Sequence, residues 1–122
     1  MKFYICPICG NIVRKVVDQA GTLVCCNQPM KELEAGKTEG ALEKHIPVYE
    51  VKENEIHVQV GEVLHPMEEK HWITDLFFVT ETMEYHKVFK KDEKPVATFP
   101  YEEGTLYALC NLHGLWEKEV KK

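Results

Sequence analysis

Glu55-Ile56-His57-Val58-Gln59-Val60 alternates apolar and polar side chains without a break, and that two-residue period decides the fold class. Successive side chains of a strand point to opposite faces, so Ile56, Val58 and Val60 are expected inside and Glu55, His57 and Gln59 outside. The same signal recurs on either side. Ile46 to Val51 comes first, apolar with Pro47 near its start, which suits an edge strand because proline cannot donate to a ladder. Trp72 to Val79, Tyr85 to Phe89, Pro95 to Phe99 and Thr105 to Leu109 follow, parted by turn residues at the spacing of a sandwich or barrel. No stretch carries a convincing amphipathic helix. The chain is expected to be all-β, with an Ig-like antiparallel β-sandwich over residues 37–122.

Residues 1–36 read differently. Phe3 to Ile5 leads into Cys6-Pro7-Ile8-Cys9-Gly10, where Pro7 and Gly10 shape a tight knuckle. Ile12-Val13 and Val16-Val17 look like strand pieces, Gln19 to Thr22 like a turn, and Thr22 to Val24 like a strand delivering Cys25-Cys26. Asn27 and Pro29 suit a turn, since Asn tolerates left-handed backbone almost as well as Gly. Such a β-hairpin unit has too few apolar residues to fold alone, so metal binding is expected to supply part of its folding energy. Gly36 and Gly40 mark a short linker to the sandwich.

Size and charge narrow the function. A chain of 122 residues can hold one modest core plus a small metal-stapled unit. Of the net charge of −5, residues 1–36 contribute +1 and the remainder −6. An acidic surface repels phosphate backbones, so nucleic acid is not expected as a partner. No run of about 18 apolar residues is present, which excludes a membrane-spanning helix. The start Met-Lys-Phe-Tyr-Ile-Cys has neither an apolar h-region nor a small-residue cleavage site, so a cytoplasmic location is expected. Five cysteines, two of them adjacent, make a poor disulfide framework and a good metal-binding one in a reducing compartment.

Four of those thiols, Cys6, Cys9, Cys25 and Cys26, suffice for a tetrahedral site, and zinc and iron both accept four sulfurs. Neighbouring side chains in extended backbone diverge, so Cys25 and Cys26 can share one ion only if the chain turns sharply between them. The fifth thiol, in Cys110-Asn111-Leu112-His113-Gly114, is left to join imidazoles. His57 and His86 read as surface residues. His45, His65, His71 and His113 instead lie at strand ends or loops, where distant segments converge. His65 precedes Pro66, which keeps it out of a helix, so a loop must bring His65 and His71 together.

Glu43-Lys44-His45-Ile46-Pro47, His65-Pro66-Met67-Glu68-Glu69-Lys70-His71-Trp72-Ile73 and Cys110-Asn111-Leu112-His113-Gly114 resemble the three iron-binding segments of the superoxide reductases. Cys6-Pro7-Ile8-Cys9-Gly10-Asn11 with Cys25-Cys26-Asn27-Gln28-Pro29-Met30 resembles the desulforedoxin-type domain found at their N-terminus. Together they are similar to the desulfoferrodoxins, the two-iron form, over essentially the whole chain. One departure is visible: the residue after the paired cysteines is commonly Gly in that family and is Asn27 here.

The resemblance implies two iron ions per chain. Residues 1–36 would be a desulforedoxin-like domain with iron on Cys6, Cys9, Cys25 and Cys26. The sandwich would carry a catalytic iron on His45, His65, His71 and His113 with Cys110 axial, leaving one position open in the ferrous form. Glu43 would fill that position in the resting ferric form, and Lys44 would stand near the incoming substrate. The implied activity is one-electron reduction of superoxide to hydrogen peroxide, with a rubredoxin or similar small redox protein as donor and a homodimer as the assembly. Two readings of another class stay open from the residues: a zinc-stapled structural or binding module, and an electron carrier without catalysis. Five ligands argue against zinc, whose sites close at four.

Overall fold

The computed structural model describes residues 2–36, 45–61, 65–68, 71–111 and 114–121. The chain divides into two compact units, Met1–Glu34 and Ala35–Lys122. Every strand pairing described in both is antiparallel. Among the described residues no helix is long and apolar enough to cross a membrane.

In the first unit β1 (Phe3–Ile5) is flanked by β2 (Ile12–Arg14) and β5 (Lys31–Leu33), while β3 (Val24–Cys25) and β4 (Gln28–Pro29) form a separate two-stranded hairpin. Phe3 and Cys6 are buried, at 3% and 1% exposure, whereas Ile8, Val16, Val17 and Val24 stand 61–83% exposed. So small a core leaves little apolar driving force, and bound metal has to hold the unit together. Val16-Val17 is a bend rather than a strand. The strands without a sequence signal are β4 and β5, both short and interrupted by Pro29 or charge.

Among the described residues the second unit is a seven-stranded sandwich. One sheet runs β10 (Val96–Pro100), β7 (Glu55–Val60), β6 (Pro47–Lys52); the other runs β12 (Gly114–Val120), β11 (Gly104–Cys110), β8 (Ile73–Thr80), β9 (Glu84–Val88). The alternation of β7 is realised: Ile56, Val58 and Val60 are at most 2% exposed and point into the core, with Glu55 and His57 outside. Pro47 begins the edge strand β6, as its missing N–H requires. Leu76, Phe78, Leu106, Ala108, Phe99 and Val120 complete the core between the sheets.

Two sequence expectations need correction here. The strand β12 is an addition, because Trp116, Glu117, Lys118 and Glu119 mask its pattern; its partner β11 aligns it residue by residue from Gly104↔Val120 to Cys110↔Gly114. Gly36 is not linker. It forms a parallel bridge to Trp116 with hydrogen bonds Gly36 N–H to Leu115 O (2.9 Å) and Glu117 N–H to Gly36 O (2.9 Å). A Cβ at Gly36 would stand 2.5 Å from Trp116 Cε3, so only glycine fits. Gly40 lies outside the described residues.

Candidate metal centres

The first centre begins with the Cys6–Gly10 knuckle. Cys6 N–H donates to Asn11 O (2.9 Å) and Gly10 N–H to Cys6 O (3.0 Å), with Gly10 at φ +80° closing the turn. The knuckle aims amides at sulfur: Ile8 and Cys9 N–H at Cys6 Sγ (3.4 and 3.5 Å), and Asn11 N–H at Cys9 Sγ (3.5 Å). The adjacent cysteines come together by a different device. Cys25 pairs with Gln28 at the end of the β3–β4 hairpin, and the two residues between them, Cys26 and Asn27, have φ +53° and +61°. Two consecutive left-handed residues make a type I′ turn. That turn swings Cys26 back to the side of Cys25, as a shared ion demands.

All four Sγ atoms lie within 4.8 Å of one another, and Cys9 Sγ is 3.6 Å from Cys25 Sγ. A tetrahedron of metal–sulfur bonds of ~2.3 Å has edges of about 3.8 Å, so the spacing suits a shared ion. None of the five cysteines is in a disulfide. The N–H groups of Cys9, first, and Ile8 hold the Cys6 thiol down to about 6. Crowding acts the other way on Cys25 and Cys26: the neighbouring thiols, Cys9 foremost, push Cys26 up to about 12 and Cys25 in the same direction. Once Cys6 is ionised Cys25 and Cys26 resist, and a bound cation offsets that repulsion.

The second centre follows from strand register. Pro47 at the start of β6 pairs with Val60 at the end of β7, and Ile73 at the start of β8 pairs with Cys110 at the end of β11. His45, His65, His71 and Cys110 therefore emerge at the same end of the sandwich. Local bonds finish the placement. Gly61 N–H donates to Ile46 O (3.0 Å) and His65 N–H to Val60 O (3.1 Å). Glu68 and His71 exchange both backbone bonds at 3.0 Å, which fixes His71 relative to the segment that carries His65. A register shift where β11 passes from Leu109 to Cys110 marks a β-bulge against β8. Cys110 and Ile73 are thereby both turned inward, at 2% and 0% exposure.

The donor atoms of His45, His65, His71 and Cys110 all lie within 4.8 Å of one another. Cys110 Sγ is 3.7 Å from His65 Nε2. His65 Nδ1 is 2.7 Å from Pro66 O, so that nitrogen carries the proton and Nε2 keeps its lone pair for the cluster. His65 is 2% and His45 9% exposed. His65 meets the His45 and His71 rings edge-on, with centroids 4.7 and 4.5 Å away. Asn111 ties the two loops on β8 and β11: Trp72 N–H donates to Asn111 Oδ1 (2.9 Å) and Asn111 N–H to Trp72 O (3.2 Å).

The two donor groups are thus all-sulfur and mixed nitrogen–sulfur, on separate units. Family models match both halves: Desulfoferrodoxin over residues 37–119, and Desulfoferrodoxin, N-terminal domain, over residues 1–33. The chain belongs to the desulfoferrodoxin family. A desulfoferrodoxin from Nitratidesulfovibrio vulgaris is 44% identical over 121 residues, 98% of this chain and 96% of that one. The crystal structure of a superoxide reductase from Treponema pallidum aligns at TM-score 0.73 and 29% identity, over 96% of this chain and 95% of that one. A superoxide reductase from Giardia intestinalis aligns at TM-score 0.57 and 33% identity, over 66% of this chain and 99% of that one. Two thirds of this chain thus match nearly all of that protein. The four sulfurs and the histidine–cysteine group fit the two iron sites of a desulfoferrodoxin.

Of the residues singled out from sequence, eight fall into these two groups. Glu43, Lys44 and His113 lie outside the described residues. His57 and His86 stay on the surface, His57 near Glu55 (3.8 Å) and His86 paired with Asp75 (2.6 Å) and stacked on Phe77. The contributions of Pro66 O and Asn111 had no sequence signal, since each depends on contacts made only after folding.

Proposed function

We propose that this chain is a superoxide reductase, converting superoxide, one electron and two protons into hydrogen peroxide at the His45, His65, His71 and Cys110 centre. The observation that carries the proposal is the convergence of three imidazoles and one thiol within 4.8 Å at one end of the sandwich, in a chain of the desulfoferrodoxin family. Iron bound there supplies the single electron and accepts its replacement from a donor.

The chain's own residues set the conditions for that chemistry. Neutral imidazoles add no charge, so one thiolate leaves a ferrous site cationic and attractive to an anion. Cys110 is buried, so with iron bound its sulfur would add electron density in a site little screened by water. The hydrogen bond from His65 Nδ1 to Pro66 O fixes which nitrogen faces the centre. By the family resemblance, His113 would complete the imidazole set, Lys44 would attract superoxide and hold the water that delivers protons, and Glu43 would close the site between turnovers. The net charge of −5 does not defeat capture, because the screening length in physiological salt is about 8 Å and a local positive mouth governs the last approach. An external rubredoxin-like donor supplies the replacement electron in this reading, with a homodimer as the assembly.

The test is superoxide decay in the presence of iron-loaded protein and a reductant. Fast decay that His65→Ala abolishes, with the visible spectrum of the four-cysteine centre unchanged in the variant, supports the assignment. Decay at the same rate in His65→Ala moves the activity away from this site.

A further inference from the structure

Trp116 touches two places that matter and belongs to neither donor group. Its ring lies face to face with His45, centroids 4.9 Å apart and planes 19° from parallel. The described imidazoles meet one another at steeper angles. On the same indole rests Gly36, whose α-carbon leaves no room for a Cβ next to Cε3 and Cζ3. The backbone of Gly36 is bonded on both sides, to Leu115 O and from Glu117 N–H. Trp116 itself is fixed by the β11 ladder, opposite Ala108 and two residues from Gly114, which pairs with Cys110. One rigid side chain therefore fixes the chain at Gly36 and again at His45.

From this geometry we infer that Trp116 is a positioning residue for the second centre: it locks the imidazole plane of His45 by stacking, with Gly36 pressing the indole into place from beside it. The inference rests on the reading of His45 as a metal ligand. A histidine that can rotate about its terminal torsion offers its lone pair in the right direction only part of the time. A flat aromatic neighbour removes that freedom. Hydrogen-bonding partners that orient a ligand commonly change metal affinity by about 10- to 100-fold when removed, and a stacked ring belongs at the lower end of that range.

The experiment uses the full chain with the four-cysteine centre as an internal reference, and Co(II) as the probe of the second centre. Affinity is read by chelator competition and site geometry by the sulfur-to-cobalt charge-transfer band. Trp116→Leu is expected to weaken Co(II) at the second centre by about 10-fold and to shift the band, while Trp116→Phe, which keeps a flat ring, recovers most of both. Gly36→Ala, which displaces the indole without deleting it, is expected to move affinity and band in the same direction as Trp116→Leu. In a His45→Ala background, Trp116→Leu is expected to add nothing. Unchanged affinity and band in both Trp116→Leu and Gly36→Ala, even with a lower melting temperature, overturns the inference and leaves the ligand reading intact. Should Trp116→Leu fail to fold, Gly36→Ala and Trp116→Phe decide alone. Wild-type Co(II) affinity in His45→Ala overturns the ligand reading itself, and an equal loss from Trp116→Leu with and without His45 overturns the route through that residue.

Discussion

Replacing Asn27 tests how the adjacent cysteines are brought onto one ion. The β3–β4 hairpin closes through Cys26 and Asn27, at φ +53° and +61°, between the paired residues Cys25 and Gln28. Left-handed backbone costs an ordinary L-residue about 1–2 kcal/mol, and Asn escapes much of that. With so small a core, the unit's folding and its metal binding are one equilibrium, so the cost appears in metal affinity. At ~1.4 kcal/mol per tenfold, Asn27→Ala should weaken Co(II) or Zn(II) at the four-cysteine centre by about 5- to 30-fold. Asn27→Val belongs at the upper end because its branched Cβ resists positive φ more strongly. Asn27→Gly should bind as tightly as the parent or more so. Chelator competition followed by the sulfur-to-cobalt absorption gives the affinities, and the second centre should not respond. Parent-like affinity in Asn27→Val, or an equal loss in Asn27→Gly, would refute the turn as the device that unites Cys25 and Cys26.

Three further outcomes are expected. Cys110→Ser should remove the sulfur-to-iron charge-transfer band of the second centre and most of the activity while leaving the spectrum of the four-cysteine centre in place; survival of the band would remove Cys110 from the ligand set. Lys44→Ala should slow superoxide capture and flatten its dependence on ionic strength, with the iron spectrum nearly unchanged, and stopped-flow traces at several salt concentrations read this directly. Phe78, fully buried between Tyr85 and Phe99 at ring separations of 6.0 and 5.6 Å, holds the sandwich; Phe78→Ala should cost about 3–5 kcal/mol in denaturant unfolding of the second unit, without changing the first.

The sandwich was legible wherever one strand face is buried and the other wet, as in β7, because the pleat then writes its period into the sequence. It was illegible in β12, where the pattern is broken by Trp116 and Lys118 and the order comes from pairing with β11. Val16-Val17 misled in the opposite sense: an apolar pair at 83% and 67% exposure forms no strand when the unit's small core does not receive it. The donor residues were readable because cysteines and histidines of unusual context carry their chemistry in their identity. Their supports were not. The left-handed Cys26 had only Asn27 beside it as a signal, and the bulge that turns Cys110 inward arises from a register shift against β8. Gly36 looked like spacer because glycine marks flexible chain and close approach alike. Only the contact with Trp116 separates the two.

A superoxide reductase centre at His45, His65, His71 and Cys110 would give superoxide one electron rather than disproportionate it. The most direct measurement is the product ratio when superoxide is added anaerobically to the fully reduced, iron-loaded protein. One hydrogen peroxide is expected for each superoxide consumed, with oxidation of the second centre in step and no dioxygen. Dioxygen released at half the superoxide consumed, or a second centre that stays reduced while superoxide disappears, would contradict the proposal.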